Sequence, residues 1–390
     1  MTQTQHASRH LIIGGGSMGL AAADALVRAG AESIQVLDAH CPPHSHGAHH
    51  GETRLIRLAY GEGSGYVGLA EQAWAGWQQL EQETGASLLL PCGVINMGPS
   101  DVPFIQQVQA SAREYGLPLT VLAGDTARRR FPGWQINTDW TAAVEHRAGV
   151  LWVERIVAAW RARIERARHV TLTTNASVIA LEPLQGGGAT AVCADGRRFT
   201  AERVLLAAGQ HIEPLLTPLG IHVPLTRVRK TFAWFDADAR YQPDCFPGFS
   251  LTDPERGIYY GFPDLNGAGF KMGRHDQGQT VQPGVPLAPF GDHDEDMAEL
   301  QQVIDRYLPG VGALRHGAVC QYIRTPDEHF LIDEVMPGLV MAGGFSGHGF
   351  KFACALGDTL ADWLHTGTRA GSLAGFTLSR AACQPRAGRE

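Results

Sequence analysis

Long apolar runs are missing from this chain. Hydrophobic residues make up 44% of its 390 positions, yet nowhere do they gather into the roughly 20 consecutive residues that a bilayer span requires. A membrane-embedded fold is therefore set aside. Cysteine is sparse as well: the seven residues lie at irregular spacings with no C-x-x-C pair. Such scatter excludes a disulfide framework and suits a reducing compartment. Charged residues amount to 18%, and 32 Lys and Arg against 39 Asp and Glu leave a net charge of −7, which argues against nucleic acid as a partner. No internal repeat is visible. The polar stretch Met1 to His10 leads straight into an apolar segment, so no signal peptide is expected and the expected location is cytoplasmic. The length is sufficient for two domains and a large core.

The most organised stretch runs from Leu11 to Asp38. It reads as an apolar strand (Leu11-Ile12-Ile13), a glycine turn (Gly14 to Gly19), an Ala-rich helix from Leu20 to about Arg28 stopped by Gly30, and a second strand (Ile34 to Leu37). Gly14 permits the tight turn, Gly16 lets the backbone approach a pyrophosphate, and Gly19 lets helix pack on strand. Ser17 and Met18 lie where the free N–H groups of the helix start face that pyrophosphate. Asp38, 19 positions after Gly19, can accept from ribose hydroxyls, and no Arg follows closely to hold a 2′-phosphate. The glycine spacing alone has little weight: with 47 Gly, about 0.7 matches arise by chance. A second match at Gly63, Gly65 and Gly68 lacks the helix, strand and acid that follow the first. The order of elements, not the spacing, predicts a dinucleotide site.

Five of the 17 histidines fall between His40 and His50. Clustered imidazoles suit zinc or copper, but no cysteine or carboxylate pattern completes a coordination set. A loop wrapping the cofactor is the preferred reading. Arg54 and Arg57 lie three apart, as on one helical face, with Tyr60 at the next turn. Apolar spacing predicts helices from Tyr66 to Glu83, Phe104 to Tyr115, Val153 to Arg166 and Met297 to Leu308. Strands are predicted at Leu88 to Leu90, Gly93 to Asn96 and, in short pieces, Val170 to Val192, then at Val204 to Gly209. Thr226 to Lys271 is strand-rich and reads as a second, inserted domain, followed by an irregular segment from Gln282 to Asp292. Near the end, an apolar strand (Leu339 to Ala342) meets a glycine turn (Gly343 to Gly349) and a helix from Phe350 to about Leu364. Lys351 in that helix's first turn opposes the helix dipole, so it makes better sense facing an anion. The tail from Ala381 to Glu390 carries no pattern and is expected to fray.

Four long motifs in order, HHGETRLIRLAYGEG (His49 to Gly63), GFKMGRH (Gly269 to His275), GAVCQY with PDEHFLID (Gly317 to Asp333) and GGFSGHGFKF (Gly343 to Phe352), resemble the monomeric sarcosine oxidase family of FAD-dependent amine oxidases. The likeness extends from about Leu11 to Arg380. It implies an α/β fold: a Rossmann-like FAD-binding domain with an inserted α+β substrate domain on a large mixed or antiparallel sheet. The expected boundaries are 1–88, 148–225 and 326–390 for the FAD domain, and 89–147 and 226–325 for the substrate domain. The resemblance implies a monomer acting on an N-methyl amino acid and O₂, with no nucleic acid or membrane partner. Closer likeness in HCPPHSHGAHHG, GVINMGP and KTFAWFDADARY points to N-methyl-L-tryptophan; sarcosine and cyclic imino acids are the alternatives. Two readings of other kinds are a dehydrogenase delivering electrons to a membrane quinone and a non-catalytic metal binder built on the His loop.

By the same resemblance, Arg54 and Lys351 hold the substrate carboxylate, Lys271 lies where oxygen is reduced, and Cys320 carries the flavin through an 8α-thioether. Tyr260, His275 and Tyr322 fall at positions lining the active site. His50, Thr53, Arg57, Gly344 and Gly347 are expected at the cofactor with the first glycine turn, Asp38 and Lys351. Arg54 alone offers a planar two-pronged fork for a carboxylate; Lys351 offers a point charge. Glu52 and Leu58 depart from the family's common Asp and His, and Leu58, beside the arginines, bears on substrate choice.

Overall fold

In the computed structural model, which describes residues 5–384, the first strand runs Gln5–Ile13 and lies inside an eight-stranded sheet. Five strands of this sheet are parallel, in the order Leu339–Gly343, Arg198–Leu206, Gln5–Ile13, Ile34–Leu37, Val170–Thr173. Helices cover one face and loops and a short helix the other, so successive residues of one strand enter different cores. Ile12 packs with the helices Ser17–Arg28, Val67–Thr84, Val153–Arg166 and Ala353–Thr366. Leu11 and Ile13 pack with Leu206, Ile212 and Leu215 on the opposite side. The helix Ala353–Thr366 crosses the first helix at Gly357, where an added Cβ would lie 2.7 Å from Ala21. The hairpin Val178–Pro183 with Ala189–Cys193 and the strand Leu331–Met336 complete the sheet antiparallel.

The second sheet has nine strands. From one edge they run Val311–Arg324, Thr226–Ala237, Phe270–Arg274, Gly257–Phe262, Gly248–Asp253, Val94–Pro99, Trp140–Glu145 and Leu119–Ala123, with Gln279–Thr280 also on Thr226–Ala237. Only the pairing of Gly248–Asp253 with Val94–Pro99 is parallel. On its back face Ala233, Phe235, Phe270 and Met272 join Leu300, Val303 and Ile304 of the helix Glu295–Tyr307. Its front face carries Phe232, Trp234, Cys320 and Tyr322. A small third sheet, Thr53–Ile56 with Gly149–Trp152 and Leu89–Leu90, joins the two larger ones.

Two expectations are corrected. Arg54 and Arg57 do not share a helical face, because Thr53–Ile56 is a strand paired with Gly149–Trp152. The strand Val311–Arg324 was not expected as an element; its glycines and the polar Arg315 and His316 give no alternation, and its pairing to Thr226–Ala237 shifts register near Trp234 and Phe235. Residues 385–390 of the expected frayed tail lie outside the described residues; within it, Ala381–Cys383 form a 3₁₀ turn. Among the described residues, no helix is long and apolar enough to cross a membrane.

Candidate active site

Two cavities meet between the sheets. The larger, of about 420 Å³, is lined by both glycine turns, Asp38, the His40–His49 loop, Gln321 and Tyr322. Gly14 adopts φ +107°, and a Cβ there would lie 2.5 Å from the carbonyl oxygen of Ala207. A Cβ on Gly19 would collide with the carbonyl of Gly14, which is the close helix–strand approach expected of this turn. The helix starting at Ser17 has no side-chain cap, so its first N–H groups face the cavity's glycine wall. Asp38 accepts from the N–H of Gly15 and of His40, both at 2.7 Å, and contacts His44 Nε2 at 3.2 Å. Burial alone would raise its pKa; the hydrogen bonds from His44, His40 and Gly15 outweigh that and hold the carboxyl below its ordinary range. His40 and His46 stack at 3.7 Å, with His44 and His49 edge-on beside them. Buried His49 lines the cavity with Nε2 unpartnered, and burial pushes its pKa down to about 3. Uncapped N–H groups, a carboxylate one strand away and a neutral imidazole together fit a dinucleotide.

The second cavity, about 140 Å³, shares Arg54, Tyr322, Gly347 and Phe350 with the first. Its walls include Arg57, Glu62, Phe104, Tyr260, Phe262, His275, His348 and Lys351. Arg57 donates from Nη2 to Glu62 Oε1 at 2.7 Å, while Arg57 Nη1 and Glu62 Oε2 have no partner. Its guanidinium also rests over the rings of Phe104 and Tyr60, at 4.9 and 5.1 Å. Burial opposes the charge on Glu62, but Arg57 above all holds the carboxyl at about 2. Lys351 is buried, and burial followed by the Arg57 charge pushes its ammonium down to about 7. Across the chamber, Tyr322 Oη lies 3.4 Å from His275 Nδ1, and burial lowers His275 to about 3 while raising the hydroxyls of Tyr260 and Tyr322. The loop carrying this wall is held from the second sheet: the buried Glu145 accepts from Leu58 N–H and Ala59 N–H, both at 2.8 Å, and from Asn96.

Lys271 leaves the front face of the second sheet and lines neither cavity. Its Nζ bonds the carbonyl of Gly51 and, at 3.0 Å, Thr53 Oγ1. It lies 4.7–5.0 Å from the rings of Phe232, Trp234 and Phe262. Burial first, then the Arg54 charge, push it down to about 7. Cys320 is buried on the same face, directly paired with Lys230 in register. Burial raises its thiol pKa, opposed by Arg54, Lys230 and Lys271.

Gly14, Gly16, Ser17, Met18, Asp38, Gly344 and Gly347 line the larger cavity, while Gly19 acts beneath it through its contact with Gly14. Tyr260, His275, Tyr322 and Lys351 line the chamber. Five residues expected at the cofactor do not line the larger cavity: Lys351 lines the chamber, Cys320 lies in the front-face cluster of the second sheet, and three more lie elsewhere. Arg57 faces the chamber; Thr53 is a partner of Lys271; His50 stands near Phe232 while His49 takes the cavity wall. Arg54 lines both cavities. Its guanidinium donates to the carbonyls of Thr53, Ala48 and His50 at 2.8–2.9 Å, because its strand points it toward the His-rich loop. The guanidinium with an unpartnered nitrogen in the chamber belongs to Arg57. Leu58 is buried in the apolar cluster with the helices and touches neither cavity. Glu62, Tyr60 and His348 were missed, although Glu62 and Tyr60 stand within five residues of Arg57 and His348 three before Lys351.

Residues 9–363 match the DAO family, described as FAD dependent oxidoreductase. The chain is 37% identical to a monomeric sarcosine oxidase of Bacillus sp. (strain B-0618), over 95% of this chain and 96% of that one. It is 38% identical to an N-methyl-L-tryptophan oxidase of Yersinia pestis (strain Pestoides F), over 95% and 98%. Among solved structures, NikD, an unusual amino acid oxidase essential for nikkomycin biosynthesis, superposes with a TM-score of 0.84 at 22% identity, covering 95% and 97%. The fructosamine oxidase Amadoriase II of Aspergillus fumigatus gives 0.78 at 20% identity, covering 97% and 91%. These two likenesses bear on the fold.

Proposed function

Because the chain belongs to the FAD dependent oxidoreductase family, we propose that it oxidatively demethylates an N-methyl amino acid, with N-methyl-L-tryptophan the first candidate. Oxygen and water are consumed, and the amino acid, formaldehyde and hydrogen peroxide are formed. The glycine turns and Asp38 would hold FAD, which would supply a two-electron acceptor for the substrate and a donor for oxygen. The residues bind, orient and exclude water.

The observation that carries this reading is a pair of cations, Arg57 and Lys351, in a chamber that shares a wall with the dinucleotide cavity. Arg57 Nη1 is buried without a partner, and an unsatisfied buried donor is costly unless a ligand supplies the acceptor. A substrate carboxylate fits: Arg57 offers directional N–H groups and Lys351 a compact charge. The apolar part of the wall, Phe104, Ile258, Phe262 and Phe350, supports an aromatic side chain over the bare N-methylglycine. We assign Arg54 to holding the His-rich loop around the cofactor through its three carbonyls. Cys320 is proposed as the covalent attachment point and Lys271 as the oxygen-activating cation, both from the front face of the second sheet.

The test compares two arginines. Arg57→Ala should weaken carboxylate inhibitors by about 2–5 kcal/mol, and Arg57→Lys should restore little, since a point charge lacks the fork. Arg54→Lys should instead alter flavin retention. Unchanged inhibitor binding in Arg57→Ala contradicts the assignment. Turnover of N-methyltryptophan against sarcosine at matched concentration tests the substrate.

A further inference from the structure

Lys351 is held by a hydrogen-bond chain whose direction can be read. An ammonium has three N–H bonds and no acceptor. Two of them meet the carbonyl of His348 at 2.9 Å and Tyr60 Oη at 3.2 Å. Tyr60 Oη lies 2.7 Å from His348 Nδ1, and His348 Nε2 lies 3.0 Å from the carbonyl of Glu328. A carbonyl can only accept, so His348 Nε2 carries the ring proton, and Nδ1 of the neutral imidazole is left as an acceptor. Tyr60 therefore donates to His348 and turns its lone pair to Lys351. The backbone oxygen of Glu328 thus sets the polarity of the whole chain. Tyr60, Lys351 and His348 are all buried, and the indole of Trp77 fixes the backbone of Lys351 through its carbonyl at 2.9 Å.

We propose that Tyr60 and His348 are positioning residues for substrate binding: they occupy two N–H bonds of Lys351 and leave the third for a ligand in the chamber. The inference rests on the reading of Lys351 as a carboxylate ligand. Neither residue needs to touch the substrate through its own polar atoms, because Tyr60 is engaged by Lys351 and His348, and His348 by Tyr60 and Glu328. The charges around Lys351 sharpen the requirement. Arg57 and Arg54 disfavour its ammonium and Glu62 favours it, so an acceptor on Tyr60 helps to keep the cation protonated beside two guanidinium groups.

Acetate titrated into the holoenzyme, followed by the visible flavin spectrum across pH, tests the chain. In the wild type, acetate should bind more weakly as pH rises through about 7, the value to which burial brings Lys351. Tyr60→Phe removes the acceptor; acetate should bind about tenfold more weakly, and the fall should move to lower pH. His348→Leu should behave like Tyr60→Phe. His348→Asn, which keeps an acceptor near the position of Nδ1, should recover most of the loss. In a Lys351→Met background, Tyr60→Phe should add nothing further. Wild-type acetate binding in both Tyr60→Phe and His348→Leu would overturn the positioning role. So would an undiminished Tyr60 effect in the Lys351→Met background, which would mark Tyr60 as acting independently of the lysine. Should Tyr60→Phe not fold, the His348→Leu and His348→Asn pair decides by the same readout. A Lys351→Met variant that binds acetate with wild-type strength and pH dependence would instead remove the carboxylate reading beneath it.

Discussion

On the strand Phe270–Arg274, Phe270 and Met272 pack against Leu300 and Val303 of the helix behind, while Lys271 between them turns forward among three aromatic rings. The neighbouring strand repeats the division: Ala233 and Phe235 face the helix, Phe232 and Trp234 face the cofactor side. The period of two that builds the sheet thus separates support from chemistry within single strands. Behind, packing is mainly apolar and contributes stability through buried area, with Arg229 and Arg274 paired to Asp296 and Glu299 of the helix. In front, cations sit against aromatic faces, where the ring quadrupole stabilises charge that burial has removed from water. A one-residue slip of register would exchange the two sets.

If the two faces have these separate duties, substitutions should divide the same way, ranked here by effect on turnover. Cys320→Ser on the front face should abolish covalent attachment. After acid precipitation, flavin colour should stay with the wild-type pellet and leave with the variant's supernatant; colour wholly in the wild-type supernatant would contradict the proposal. Lys271→Met should slow reoxidation by O₂ at least about 10²-fold, since a fixed ammonium stabilises negative charge as it develops. Anaerobic flavin reduction by substrate should change much less, and stopped-flow measurement of each half-reaction would falsify the assignment through an unchanged oxygen step. Met272→Ala, one residue further on, should leave both half-reactions near wild type while costing about 2–5 kcal/mol of stability through the cavity it opens. A denaturant titration measures that cost, and a slowed oxygen step in this variant would blur the division. Leu58→His should have the smallest effect on the ratio of N-methyltryptophan to sarcosine turnover. Leu58 faces the helix core, so a buried imidazole there should lower stability instead.

The nucleotide-binding half was legible because its signals are local. Strand, glycine turn, helix and Asp38 lie within 28 residues, Leu11 to Asp38, and backbone sterics at Gly14 and Gly19 enforce what the spacing suggested. The helix Val153–Arg166 kept its expected bounds because its apolar face repeats cleanly. The chamber was harder to read. Arg54 and Arg57 both lie in one motif and both line the chamber, and only their partners separate them: backbone carbonyls for Arg54, Glu62 for Arg57. Tyr60 and His348 meet across 288 positions, a distance over which periodicity carries no information. Strands such as Trp140–Glu145 and Val311–Arg324 went unread because sheet pairing, not intrinsic preference, decides them.

The first strand also has a consequence for biosynthesis. Gln5–Ile13 pairs on one side with Ile34–Leu37 and on the other with Arg198–Leu206. Ala207, at the end of that distant partner, walls the cavity beside Gly14. A further part of the wall, Gly343 to Gly347, lies at and beyond the end of Leu339–Gly343, another parallel neighbour of Arg198–Leu206. A nascent chain emerging at about 5–20 residues per second therefore holds the glycine turn and Asp38 long before the rest of the cavity exists. Pairings this distant in sequence close slowly against chain entropy. Cofactor capture thus waits until the chain has passed Gly347, and until then both apolar faces of the first strand need shielding from other chains.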